Sequence, residues 1–89
     1  MSQLHFRKDT EIEFEISNNF ADNLFRLMHL HKISRHDLVN ELNVNYNSFN
    51  RIMIGQQRVP ISLLLKVCQK FDVTVDEIIS RNSVNVLEL

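Results

Sequence analysis

The sequence predicts a mainly all-α domain of five helices. Over residues 19–79, apolar side chains recur at intervals of three and four, the spacing that lines one face of a helix. The 89 residues include a single Gly and a single Pro, leaving little material for long irregular loops. Ser34, Asn45 and Thr74 each stand just before an apolar-periodic run, where a short side-chain oxygen can accept from the free N–H groups of a first helical turn.

The length suffices for one modest core and not for two. With 44% apolar and 24% charged residues, the composition is that of a folded globular chain rather than a disordered one. Cys68 is the only cysteine, so an intramolecular disulfide is excluded and a reducing compartment is expected. No apolar run approaches the ~18 residues of a membrane span, and the N-terminus lacks the apolar core of a signal peptide. A soluble, cytoplasmic protein is the expectation.

Residues 1–18 read as an N-terminal extension. Within it, residues 11–16 (EIEFEI) alternate without fault, Ile12, Phe14 and Ile16 against Glu11, Glu13 and Glu15. That period of two predicts a half-buried strand whose Glu row discourages edge pairing. Ser17, Asn18 and Asn19 offer caps for helix 1, expected over residues 19–32 with an inner stripe of Phe20, Ala21, Leu24, Phe25 and Met28. Leu27 and Leu30 broaden that stripe.

Ser34 begins helix 2, with Asp37 three residues on completing a capping-box-like pair, and Leu38, Val39 and Leu42 facing inward. Asn43 falls where the chain needs a left-handed residue, and Val44 anchors the turn. Asn45 caps helix 3, expected over residues 46–53, with Phe49 and Ile52 or Met53 inward and Gly55 as its stop. After a polar loop (residues 56–59), Pro60 suits the start of helix 4, whose expected buried residues are Ile61, Leu64, Leu65, Val67, Cys68 and Phe71. Thr74 and Glu77 form a second capping-box pattern at a short helix 5, residues 75–79. Residues 19–80 thus make one helical domain. In the tail, residues 81–89, Val84 and Val86 suggest a short strand beside residues 11–16, paired within one chain or between two.

The net charge of −1 conceals a pattern. Residues 1–22 carry two basic side chains against five acidic ones, residues 23–71 seven against two, and residues 72–89 one against four, giving −3, +5 and −3. A positive middle between acidic ends suits a surface that faces polyanions, although small domains also show such asymmetry by chance.

The residues Ser34, Leu38, Val39, Leu42, Val44, Phe49, Ile52 and Gly55, followed by the runs at residues 64–68 and 71–78, resemble the lambda-repressor-like (Cro/repressor, XRE-type) helix-turn-helix family. The resemblance covers residues 19–79, and the spacing from Ser34 to Gly55 holds without insertion. Five positions depart from the family pattern. Arg35 stands where a Gln is common, Val39 at a usually smaller packing position, Asn43 at the Gly of the turn, and Met53-Ile54 where Glu-Asn is common.

The resemblance implies a DNA-binding domain whose helix 3 enters the major groove. It nominates Tyr46, Asn47, Ser48 and Arg51 as base contacts, since Asn can pair bidentately with adenine and Arg with guanine. Arg35, at the start of helix 2, is expected near a phosphate, with Asn45, Asn50, Gln57 and Arg58 as further phosphate contacts. A repressor occupying an operator as a homodimer is the implied role, because one such domain binds one half-site. The surplus apolar residues Ile12, Phe14, Ile16, Met53, Ile54, Leu63, Val84 and Val86 are the dimer-interface candidates.

Two competing readings belong beside this one. A short helix rich in Asn, Ser and Tyr is also the composition of a plain solvated face. The low net charge, the acidic strand and Met53-Ile54 would equally suit a protein-interaction module on the same fold, an antitoxin or antirepressor with a protein partner such as a toxin. Chemistry of other kinds has little support. His29 and His31 project about 200° apart on a helix and cannot share an ion, so with His36 they make no metal site. No nucleophile–base set and no phosphate-binding Gly loop is present, so neither an enzyme nor a cofactor is expected.

Overall fold

A computed structural model describes residues 8–81, in which the chain forms five helices. The first, α1 (Asp9–Leu30), runs for 22 residues, or about 33 Å at 1.5 Å per residue. It absorbs the whole of residues 11–16, so the expected strand is a helix. Six residues of perfect alternation satisfy a period of two, but Ile12 and Ile16 also stand eight and four residues before Phe20, and Leu24 follows four later. Placed in a helix they extend the stripe that α1 buries; Ile12 and Ile16 are half-buried, and Phe14 rotates outward to 38% exposure. Asp9 and Glu11 in the first turn favour the positive end of the helix. Propagating an existing helix costs much less than nucleating a strand that has no partner. The tail with Val84 and Val86 lies outside the described residues.

The remaining elements are α2 (Arg35–Leu42), α3 (Tyr46–Met53), α4 (Ile61–Phe71) and α5 (Val75–Ile79), matching the expected helices closely. Their N-termini are capped as the sequence suggests. Ser34 Oγ accepts from the Asp37 N–H at 3.1 Å, Asn45 Oδ1 from the Ser48 N–H at 2.9 Å, and Thr74 and Glu77 form a complete reciprocal capping box.

The C-termini share one device. After α1, α2 and α4 the chain passes through Lys32, Asn43 and Asp72 at φ of 54°, 54° and 55°, and through Gly55 at 82° after α3. In each case the next residue's N–H turns back to the helix: Ile33 to Met28 O, Val44 to Val39 O, Gln56 to Arg51 O and Val73 to Cys68 O, at 2.8–3.2 Å. These left-handed closures satisfy carbonyls that the helix leaves free. Three of the four following residues, Ile33, Val44 and Val73, pack against the core and lock the turn.

The core gathers Phe20, Leu24 and Met28 of α1, Leu38 and Leu42 of α2, Phe49 and Ile52 of α3, Leu63, Leu64, Val67 and Phe71 of α4, and Ile78 of α5. Helix α1 is the hub, packing against α3, α4 and α5, while α2 packs on α3 and α4. Two details of register differ from the expectation. Phe25, read as core, is 61% exposed, and the α1 interior instead takes Asn23 at 0% and Leu27. On α4 the buried stripe is rotated toward Leu63 and Val67, leaving Ile61 75% and Leu65 46% exposed.

Asn23 and its neighbours hold α5 in place. Its side-chain Nδ2 donates to the carbonyls of Glu77, Ile78 and Ser80 at 3.2, 2.9 and 2.7 Å, and Asn19 Nδ2 donates to Ile79 O at 3.1 Å. Ser17, also buried, accepts from the Val59 N–H at 2.7 Å. Ser17 and Asn19 are therefore mid-helix fasteners, not the caps of a helix beginning at residue 19. Among the described residues no helix is long and apolar enough to cross a membrane.

Candidate nucleic-acid interface

Helix α3 is eight residues long, too short to persist alone. Phe49 and Ile52 bury it against the other helices at 1% and 2% exposure, and the Asn45 cap closes its start. On a helical projection the side opposite those two residues centres on Asn47 and Arg51, one turn apart and both exposed. Tyr46, 43% exposed, sits at the edge of this surface with its ring tilted against that of His36 at 6.2 Å between centroids. Ser48 is half-buried on the other edge.

Two polar links fix this face. From the first turn of α2, Arg35 Nη1 donates to Asn50 Oδ1 at 2.7 Å, tying the start of one helix to the middle of the next. From the loop after α3, Gln57 bridges back to the helix: Arg51 Nε donates to Gln57 Oε1 at 3.3 Å, and Gln57 Nε2 donates to Ser48 Oγ at 2.9 Å. The structure thus brings together Ser48, Arg51 and Gln57 as one group, and Arg35 with Asn50 as another. Both groups lie on or beside the exposed side of α3.

The rest of the nominated residues are placed less uniformly. Asn45 uses its carbonyl oxygen as the helix cap, a bond in which its Nδ2 takes no part. Arg58 is exposed but ion-paired with Glu13 of α1, and its guanidinium carbon lies 5.9 Å from the centre of the Phe14 ring. Of the positive side chains in the middle of the chain, Lys66 donates to Leu42 O at 2.9 Å and Lys70 pairs with Glu41 at 2.6 Å. Both serve the junction of α2 with α4, so the +5 of that segment overstates the charge beside α3.

Among the residues nominated for a dimer interface, Leu63 is 3% exposed and part of the core, leaving no side-chain surface to present. Ile12 and Ile16 are half-buried on α1. Met53 is half-buried and lines a shallow groove with Ala21, Phe25 and Arg35, while Ile54 is 63% exposed. Phe25 belongs with Ile54 as exposed apolar surface near the end of α3. The sequence hides it because Phe at that position also fits the helical stripe of α1.

Searches of curated proteins and of solved structures each returned no match. A family profile describing a Cro/C1-type HTH DNA-binding domain, however, matches residues 23–83, which take in the second part of α1 and all of α2 to α5. That span includes the capped α2–turn–α3 unit and its exposed polar face. By that match, the chain belongs to the Cro/C1-type helix-turn-helix DNA-binding domain family.

Proposed function

We propose that this chain is a sequence-specific transcriptional regulator, a repressor that occupies an operator as a homodimer. Helix α3 lies in the major groove, with Tyr46, Asn47, Ser48 and Arg51 reading base edges. Arg35, Asn45, Asn50, Gln57 and Arg58 hold the flanking phosphates and set the register. The observation that carries this reading is the pairing of Asn47 and Arg51 one turn apart at the centre of the exposed α3 face, on a helix anchored by Phe49 and Ile52. A side chain can discriminate between bases only if its backbone is held still, and buried anchors with a closed cap supply that.

Dimerisation is supported by the exposed apolar surface of Phe25 and Ile54 beside half-buried Met53, close to the reading helix. Two copies would supply the half-sites about 34 Å apart that this geometry favours. The same surface supports a second reading, an antitoxin or antirepressor that binds a protein such as a toxin.

Selection from a randomised duplex library at low salt tests the first reading. The parent chain is expected to enrich a motif, and the combined Asn47→Ala and Arg51→Ala variant to bind without enriching it. Absence of any enrichment by the parent would overturn the DNA-reading role and favour the second reading. Sedimentation of the parent and Ile54→Asp reports on the pairing. A dimer that the substitution dissociates is expected, and a monomeric parent mass at tens of micromolar would refute it.

A further inference from the structure

The donor and acceptor order around Gln57 carries more information than its position. Arg51 can only donate, so the Gln57 atom facing its Nε must be the carbonyl oxygen, which fixes the orientation of the amide. The Gln57 NH2 then faces Ser48 Oγ, so the Ser48 hydroxyl is the acceptor in that bond. Its own proton is left to point elsewhere. Among the described residues Arg51 is held through Nε alone, which leaves its two terminal Nη groups as a fork.

We infer that Gln57 is a positioning residue that sets the base preference of α3, besides any contact of its own with a phosphate. It presents Arg51 fork-first and turns Ser48 into a hydrogen-bond donor. Both groups then seek acceptors. The major-groove edge that offers two adjacent acceptors is guanine, through N7 and O6; adenine offers one acceptor and one donor. The segment is thereby tuned for guanine opposite Arg51, with a further acceptor (a purine N7, a thymine O4 or a phosphate oxygen) within reach of Ser48. Gln57 is half-buried and held at both ends, so it constrains the Arg51 side chain before DNA arrives. That removes part of the entropy that a free arginine would lose on binding.

This inference rests on the DNA-reading role proposed above, and its test separates the two. Parent, Arg51→Ala, Gln57→Ala and Gln57→Glu are compared on the duplex that the parent enriches and on copies with each guanine replaced. The parent is expected to favour one guanine by about tenfold or more, and Arg51→Ala to lose that preference. Gln57→Ala should reduce the preference to less than about threefold, a ratio that loss of a phosphate contact, which weakens every duplex alike, would leave unmoved. Gln57→Glu keeps an acceptor for Arg51 but claims the Ser48 proton, so the guanine preference is retained and the preference at the Ser48 position falls.

A Gln57→Ala variant that weakens all duplexes alike, with the guanine preference intact and additive with Arg51→Ala, would overturn the inference and leave Gln57 as a phosphate contact. A parent that enriches no motif would instead overturn the DNA-reading role itself. Circular dichroism of Gln57→Ala, expected to match the parent, separates these outcomes from loss of fold.

Discussion

Replacing Asn23 is expected to destabilise the domain more than any exposed substitution on α3. The side chain is fully buried, and its one NH2 group serves three carbonyls at the end of α5, those of Glu77, Ile78 and Ser80. The Ile78 bond is buried, and an acceptor stranded there costs about 1–3 kcal/mol. The other two lie in part-buried positions that water can partly serve, so each loss is nearer the net value of an ordinary hydrogen bond, about 0.5–1.5 kcal/mol. Two amide protons cannot serve three carbonyls at full strength, so the loss is less than these terms together. Asn23→Ala should therefore lose about 2–4 kcal/mol, a large share of the 5–15 kcal/mol typical of a domain. For a domain of this size each kcal/mol moves Tm by about 4–8 °C, so the fall should be about 10 °C or more. Urea and thermal unfolding followed by circular dichroism give the number, and amide exchange in α5 should accelerate first. Asn23→Asp keeps the shape but turns the donor into an acceptor aimed at three carbonyl oxygens, so it should be worse than alanine. A loss below about 0.5 kcal/mol for Asn23→Ala, or an aspartate variant as stable as the parent, would refute the clamp.

Two further predictions concern single charges. Glu13→Gln releases Arg58 from its ion pair; since both side chains are about half exposed, stability should change little. If Arg58 then meets a phosphate, the slope of log affinity against log salt should steepen by about one, and an unchanged slope would argue against that contact. The Cys68 thiol is pushed above its ordinary value of 9.0, chiefly by burial and secondarily by the charge of Glu77. Its folded pKa is the higher one, so its contribution to stability is fully present below pH 9.0 and is lost as pH rises through the folded value. The parent should accordingly weaken at alkaline pH more steeply than Cys68→Ala, and parallel pH profiles would refute the assignment.

Local chemistry explains which parts of the fold were readable in advance. Caps at Ser34, Asn45 and Thr74 and the left-handed Asn43 act over three to five residues, so their signals sit inside short stretches of sequence. The order and type of α2 to α5, and the nomination of Tyr46, Asn47, Ser48 and Arg51, follow from those signals and from the family spacing. The stretches that fold otherwise than their local pattern suggests are ambiguous within themselves. EIEFEI fits both periods, and only its phase relative to Phe20 and Leu24 makes it helical. Residues 61–68 of α4 hold six apolar side chains that fit two different stripes, and the neighbouring helices selected the one through Leu63 and Val67. Lys32 and Asp72 adopt the left-handed closure without the Gly or Asn that usually announces it.

By itself, then, the sequence determined the helical class, the capped helix-turn-helix and the residue types that α3 exposes, because these depend on neighbours along the chain. Tertiary structure decided the rest. It turned Phe25 outward and Asn23 inward, drew Ser17 onto Val59, put Glu13 against Arg58 and linked Arg51 to Ser48 through Gln57. The Ser17–Val59 and Glu13–Arg58 contacts span more than 40 residues, and the clamp from Asn23 to α5 more than 50. Partners so far apart are chosen by how the helices pack, and no pattern within a single helix encodes that choice.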